Sequence, residues 1–123
     1  MAGTVAVTLN RGYIDNTLNP AREFVLDFVA DAADASFPVG SIPDNVSAIL
    51  TDVGVVFGAT GPNTLNISIA DGYGRVVYAA TGLTATQVAG MLLSSLQFGK
   101  GLNVTLTNNT TNGAAVKIIL YVM

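Results

Sequence analysis

The chain has 123 residues, of which half are hydrophobic and only 11% are charged, and its net charge is −3. This length predicts a single domain that buries roughly two-thirds of the surface of its extended chain. About a quarter of the residues are charged in a typical soluble domain. The scarcity of charge therefore predicts that a partner covers part of the surface, the alternative being an exterior made neutral by Asn, Thr, Ser and Gly.

The distribution of charge and the absence of cysteine exclude several classes of protein. The five basic residues are scattered along the sequence, which argues against binding to nucleic acid or to an anionic membrane. Without cysteine there is no disulfide framework and no thiolate metal site. No basic-then-apolar leader precedes the first strand pattern, and no stretch approaches the ~18 apolar residues of a membrane helix. We therefore expect the chain to be made and folded in the cytoplasm.

The first part of the chain predicts strands separated by turn residues. Thr4 to Leu9 alternates apolar and small polar residues, as a strand with one buried face does. Residues 22–33 fit either a capped helix with its acidic residues on one face or a strand with alternating Phe and Leu on one face. We prefer the strand, because Phe and Val favour sheets and the neighbouring segments are rich in strand patterns.

The middle of the chain predicts a loop, a long strand and a hairpin. Residues 35–46 contain two prolines and a glycine and are expected to form a loop. Ala48 to Phe57 is a long apolar run in which Gly54 predicts a bulge or a bend. Leu65 to Ile69 and Arg75 to Tyr78 are joined by a short loop that contains Asp-Gly, which is a strong hairpin signal.

The last third begins with an ambiguous segment and ends with two alternating runs. Residues 84–98 combine capping-box spacing with an apolar residue at every fourth position, so a short helix near 84–96 is compatible with the pattern. A strand with Val88, Leu92, Leu96 and Phe98 on one face, or an irregular crossing over one end of the sheets, is the alternative. Leu102 to Thr107 and Ala115 to Val122 alternate as strands, and a polar turn joins them. We expect the second of these strands to close a sheet.

Together these patterns predict seven or eight short strands in an all-β domain. Polar residues at alternate positions of the strands require one solvent-exposed face on each sheet. This favours two packed sheets over a barrel. The expected fold is a single antiparallel β-sandwich, jelly-roll or immunoglobulin-like, over residues 1–123.

Reactive chemistry has few candidates in this sequence. There is no histidine, the side chain best suited to proton transfer near neutral pH. Asp31 with Asp34, or Asp44 with Asp52, could be held across a cleft as a glycosidase requires, but solvated charges at loops and strand ends are the preferred interpretation. Asp27, Asp31 and Asp34 come closest to a cation site, and their spacing matches no calcium loop. We expect no enzyme activity, no cofactor and no metal.

Glycan binding also lacks a clear signal. A sugar-binding face commonly uses an exposed aromatic platform, and this chain has no tryptophan. Its tyrosines are dispersed along the sequence: Tyr13, Tyr73, Tyr78 and Tyr121. Asp71-Gly72-Tyr73-Gly74 is interpreted as a hairpin turn rather than as the start of a calcium loop.

The order of these features resembles a known class of proteins. An early Arg-Glu-Phe-Val-Leu-Asp-Phe-Val strand leads to a Pro-bounded loop at Ser41-Ile42-Pro43. A bent apolar strand, a central hairpin and a closing pair ending in Leu-Tyr-Val follow. From Val5 to Val122 the chain resembles the small, cysteine-free β-sandwich virion proteins of tailed bacteriophages.

The resemblance implies a capsid decoration (cement) protein on the outer capsid surface, synthesised in the host cytoplasm. The implied partner is the major capsid protein, with self-association as a dimer or trimer on the shell. A host-surface or carbohydrate-binding module of a head or tail fibre is the alternative. The candidate contact residues lie in two apolar segments: Phe37, Pro38, Val39, Met91, Leu92 and Leu93.

Overall fold

A computed structural model describes residues 3–11, 22–43, 48–86 and 96–122 of the chain. These residues form strands and no helix, which confirms the all-β prediction. In chain order the nine strands are β1 (Thr4–Arg11), β2 (Arg22–Val29), β3 (Gly40–Ile42), β4 (Ala48–Phe57), β5 (Leu65–Asp71), β6 (Val76–Leu83), β7 (Leu96–Phe98), β8 (Leu102–Thr107) and β9 (Ala115–Val122).

The strands form two antiparallel sheets that pack against each other. Sheet A has the order β1-β2-β9-β4-β7, and sheet B has the order β3-β8-β5-β6. Four of the pairings are nested in sequence: β2 with β9, β3 with β8, β4 with β7, and β5 with β6. A long two-stranded ribbon wound around a core produces this nesting, which is the jelly-roll arrangement of eight strands. β1 is an additional strand that pairs with β2 outside the ribbon.

The core lies between the sheets and is filled by alternate residues of nearly every strand. Phe24, Leu26 and Phe28 of β2 face inward and are buried, whereas the outward Asp27 is exposed. This confirms the strand prediction for the start of residues 22–33; the strand ends at Val29, and turns follow. Edge-to-face contact with Phe28, with ring centroids 6.1 Å apart, adds the ring of Phe37 to the same core.

Two predictions about the middle of the chain were wrong in detail. The loop expected over residues 35–46 contains β3, which pairs with β8. This strand was missed because three residues that include a glycine are too few to show an alternation of apolar and polar side chains. The bulge in β4 lies at Thr51 rather than at Gly54, which pairs regularly with Ile119. The Thr51 hydroxyl donates to the Tyr121 carbonyl, so this residue satisfies the irregular backbone through its side chain.

The expectation that the last strand closes a sheet was also wrong. β9 lies in the middle of sheet A, between β2 and β4, whereas β8 belongs to sheet B. The polar turn 108–114 therefore crosses from one sheet to the other. Of the short helix considered near 84–96, residues 84–86 are not helical and 96 begins β7, while 87–95 lie outside the described residues.

The two ends of the sandwich carry different loops. The closed end is formed by loops 30–36, 58–64 and 108–114. The open end is formed by residues 41–43, the hairpin turn 72–75 and the turn 99–101. Asp31 and Asp34 lie in the closed end, and the turn that follows Asp71 lies in the open end.

Candidate functional site

The acidic pair Asp31 and Asp34 lies in the closed end, where both carboxylates bind the backbone. Asp31 Oδ1 accepts hydrogen bonds from the amides of Ala33 (2.7 Å) and Asp34 (3.2 Å). Asp34 Oδ1 accepts from the amide and the hydroxyl of Ser36, at 3.0 and 2.7 Å. The Ala33 amide is the main cause of a lowered pKa at Asp31, and it outweighs the opposing effect of desolvation. Both carboxylates therefore stabilise the turn that follows β2.

The other acidic candidates have separate surroundings. Asp52 Oδ1 accepts a hydrogen bond from the Val53 amide at 2.8 Å, and its proposed companion Asp44 lies outside the described residues. Asp27 and Lys117 form an exposed ion pair at 3.7 Å across β2 and β9. No group of three or more metal-ligating side chains occurs within residues 3–11, 22–43, 48–86 and 96–122.

Asp71 ends β5 and organises the open end. It is only 3% exposed, and its Oδ1 accepts hydrogen bonds from the amides of Tyr73 (3.0 Å) and Arg75 (3.1 Å). Arg75 Nη2 lies 3.4 Å from Asp71 Oδ2. Desolvation is the largest influence and raises the pKa of Asp71, but the amides of Arg75, Tyr73 and Gly99 and the Arg75 charge together lower it. The hairpin-turn interpretation of this segment is confirmed.

A shallow depression of about 470 Å³ lies beside this turn. Three separate parts of the chain line it: Ser41, Ile42, Pro43, Gly72, Lys100 and Asn103. The Ser41 hydroxyl is 2.6 Å from Asn103 Oδ1, which joins β3 to β8 on the wall of the depression. The amide of Gly72 donates to the carbonyl of Gly99 at 3.2 Å, so the hairpin tip is held against the turn that carries Lys100.

An aromatic side chain stands next to the depression. Tyr73 is 74% exposed, and the Nζ of Lys100 lies 5.5 Å from the centre of its ring, within cation–π range. Sequence patterns did not predict that Tyr73, Lys100 and Asn103 come together, since the three residues belong to different turns and strands. A usable signal was the position of Tyr73 at the tip of the predicted hairpin, where side chains are exposed.

The described lining of the depression carries groups that can bind a polar ligand. Its described lining offers hydroxyl, amide and ammonium groups, which can hydrogen-bond a polar ligand, and Tyr73 adds an aromatic face. Asp71 directly precedes the lining residue Gly72, and the backbone amides of Tyr73 and Arg75 donate to its Oδ1.

The contact residues predicted from the sequence have unequal exposure. Val39 is 55% exposed and directly precedes β3, which contacts β1 and β2. Pro38 is half-buried, and Phe37 is turned toward the core by its contact with Phe28. Met91, Leu92 and Leu93 lie outside the described residues. Within this segment, Val39 therefore offers the most apolar surface to a partner, and its role in an interface stays a prediction.

Comparisons of the sequence with protein-family models and with curated proteins find no match. The described part of the chain also contains no helix of the length and apolar character that crossing a membrane requires.

Proposed function

We propose that this protein is a structural component of a bacteriophage virion, a decoration protein that binds the outer capsid surface and bridges major capsid subunits. The observation that carries the proposal is the exposed apolar rim along one side of the sandwich. Val39 next to β3 and Val7 and Leu9 of β1 are each at least 40% exposed. β1 and β3 contact each other, which places these residues on the same side of the molecule.

The physical character of this rim suits a large protein partner. Apolar and neutral polar surface can be covered without desolvating ions, which is a costly step at an interface. With 11% charged residues, the chain has few ions to desolvate. The jelly-roll fold supports the proposal by analogy only, since it occurs in viral capsid proteins and also in lectins.

The proposed mechanism is stabilisation by binding. A ligand that binds assembled capsomers and not free subunits favours the assembled shell by about 2.7 kcal/mol per site at a free concentration 100-fold above Kd. Bridging two subunits with one rigid sandwich adds resistance to their separation. No catalytic residue takes part in this mechanism.

The direct test is co-sedimentation with capsids assembled from the major capsid protein of the same phage. We expect the protein to sediment with the capsids and to raise the temperature at which they disrupt. Val39→Asp should weaken binding at least tenfold, because burying a carboxylate in an apolar contact is costly. The matched control is Val76→Asp, which alters an equally exposed valine on the opposite edge strand β6. Protein that neither sediments with the capsids nor stabilises them contradicts the proposal.

The depression at the open end supports a second candidate, a host-surface or carbohydrate-binding module of a head or tail fibre. Exposed Tyr73 beside Lys100, Ser41 and Asn103 combines an aromatic face with hydrogen-bonding groups. Glycan-array binding that is lost in Tyr73→Ala and Asn103→Ala, but kept in Val39→Asp, would favour this candidate. Binding to capsids with the opposite response to these variants would favour decoration.

A further inference from the structure

β1 is the strand that the jelly-roll ribbon does not require. Its eight residues pair with β2 in one unbroken antiparallel register, from Thr4 opposite Val29 to Arg11 opposite Arg22. On its other side no described strand is paired with it, since β1 is the terminal strand of sheet A. The backbone groups along that side can pair with a further strand.

The other three edges of the two sheets are protected by known devices. β3 and β7 have three residues each, too short to bind a long strand. β6 has eight residues, but two register shifts interrupt its pairing with β5, and Gly82 has a left-handed φ of 67°. Short strands and bulges discourage pairing between molecules, and β1 has neither. Among the described strands, β1 is therefore the edge best formed for strand addition.

The inward face of β1 is apolar and only partly covered. Val5, Val7 and Leu9 lie opposite core residues of β2, so they are on the core side of sheet A. Val7 and Leu9 are nevertheless 42% and 40% exposed. β3 is the sheet B strand that contacts β1, and its three residues are too few to cover eight. The apolar face of sheet A that packs on the core thus extends to the unpaired edge of β1.

We propose that this edge pairs with β1 of a second copy of the same chain, antiparallel, about a two-fold axis at Val7. In this register Val7 faces Val7 of the second copy, and Val5 faces its Leu9. Opposite residues of an antiparallel pair point to the same face, so the three apolar side chains of each copy meet on the core side. Thr8 then faces Ala6 on the outer side, and sheet A continues across the axis. Val7 and Leu9 also belong to the apolar rim proposed above to bind the capsid, so the dimer covers them and leaves Val39 as the exposed residue of that rim.

The residue pattern of β1 favours a second copy over an unrelated strand. Val5 and Leu9 lie two residues to either side of Val7, so an antiparallel copy centred on Val7 places an apolar residue opposite each of the three. The strand has no acidic residue, so two copies pair without bringing carboxylates together along their length.

The size of the contact predicts a weak dimer. A stable interface commonly buries about 800 Å² on each partner, and one eight-residue edge with three apolar side chains supplies less. We expect a dissociation constant on the order of 10–100 µM. Added salt should not weaken the dimer, because each copy carries a net charge of −3 and salt screens the repulsion between copies.

Single cysteines can test the register, since the chain has no cysteine of its own. Val7→Cys places two thiols across the axis with Cα atoms about 4.5–5.5 Å apart, within the range of a disulfide. Val5→Cys alone places its two thiols about 13 Å apart, four residues out of register. We expect oxidation to cross-link Val7→Cys, and to cross-link a mixture of Val5→Cys and Leu9→Cys, while Val5→Cys alone and Val76→Cys remain monomeric.

Sedimentation velocity between 5 and 500 µM tests the association itself. The unmodified protein should shift from monomer to dimer, and Val7→Lys should remain monomeric, because two ammonium groups would meet at the axis. Val76→Lys on the β6 edge is the matched control and should dimerise normally; circular dichroism checks that both variants are folded. A monomer at all concentrations, or cross-linking that favours Val76→Cys, overturns the proposal. So does a monomer whose capsid binding is lost in Val7→Lys, since the edge would then bind the capsid.

Discussion

At the closed end of the sandwich three loops are hydrogen-bonded to one another, whereas at the open end a single hairpin turn borders a depression. In the closed end Asn109 Nδ2 donates to the Ala35 carbonyl, and the Thr110 amide donates to Asn63 Oδ1. The Ala115 amide reaches the Thr60 carbonyl at 2.7 Å. In the open end the buried carboxylate of Asp71 organises its own turn. The closed end is thus held by many contacts between loops, and the described open end by fewer.

The two ends differ in what they can contribute: hydrogen bonds between loops stabilise the closed end, whereas the open end exposes side chains to a ligand. Loops that bind each other have little surface left for a ligand, whereas a turn supported from beneath can expose its side chains. Tyr73 is exposed because Asp71, two residues earlier, satisfies the backbone of the turn from the buried side. The open end is therefore the better candidate for ligand recognition, and its stability should depend on a small number of residues.

Gly101 and Gly113 give the largest expected contrast between the ends. Both have a left-handed φ, 73° and 69°. A Cβ on Gly101 would lie 2.5 Å from the Ile42 carbonyl oxygen and 2.6 Å from that of Pro43, while a Cβ on Gly113 would meet nothing within 4 Å. Gly101→Ala should therefore lower the free energy of unfolding by about 3 kcal/mol or more, and Gly113→Ala by about 1 kcal/mol. Urea denaturation measures both values.

Equal losses in the two alanine variants would contradict this expectation. That result would mean that the left-handed backbone, and not the contact with residues 42 and 43, dominates the cost at Gly101.

Asp71→Ala should have the next largest effect. It removes the acceptor for the amides of Tyr73 and Arg75 inside a turn whose carboxylate is 3% exposed, and unsatisfied buried donors are strongly destabilising. We expect the melting temperature to fall by roughly 10 °C. Asp34→Ala at the closed end is the control, since that carboxylate is exposed and its hydrogen bonds within the described residues go to the neighbouring Ser36. Its melting temperature should fall by a third of that amount or less.

The pH dependence of stability should show whether the ionised carboxylate of Asp71 stabilises the folded protein. Its folded-state pKa is lowered from the ordinary value of 3.8, so the stabilisation is present above pH 3.8 and is lost as the pH falls through the folded-state pKa. Asp71→Asn keeps an acceptor oxygen but cannot titrate. The difference in melting temperature between the parent and Asp71→Asn should be constant from pH 5 to 7 and should narrow below pH 4. A constant difference down to pH 2 would contradict the lowered pKa.

Asn109→Ala tests whether the closed end depends on contacts between loops. The Asn109 side chain donates to Ala35 and Thr111 carbonyls at 3.0 Å and accepts from the Thr111 amide. We expect a loss of about 1–2 kcal/mol in the free energy of unfolding. Asn112→Ala, an exposed position in the same loop, should change it by less than about 0.5 kcal/mol. Equal effects would mean that the bonds of Asn109 to residues 35 and 111 add nothing measurable.

The sequence predicted the faces of the strands better than it predicted their neighbours. Alternation identified the buried side of β2, and the Asp-Gly loop identified the β5–β6 hairpin, because both signals are local. The position of β9 between β2 and β4 was missed, since a period of two residues reveals which face is buried but not which strand lies alongside.

The depression could not be predicted for a related reason. Ser41, Gly72, Lys100 and Asn103 are up to 62 residues apart, and only the nesting of the strand pairs brings them to one end. Phe37 shows a second limit: its apolar character in a loop suggested a contact surface, and in the structure its ring packs against Phe28, while its role in an interface stays a prediction. Apolar character alone does not distinguish a residue that completes the core from one that binds a partner.

Tyr73→Ala should have the smallest effect on stability. It therefore distinguishes a contribution of the open end to folding from a contribution to ligand binding. The ring is 74% exposed, and the hydrogen bond from its backbone amide to Asp71 does not require the side chain. We expect the free energy of unfolding to change by less than about 0.5 kcal/mol. Tyr78→Ala, which removes a half-buried ring packed against the core, should cost about 2–3 kcal/mol. If Tyr73→Ala were as destabilising as Tyr78→Ala, the exposed ring would be part of the fold, and its availability to a ligand would no longer follow from the geometry of the turn.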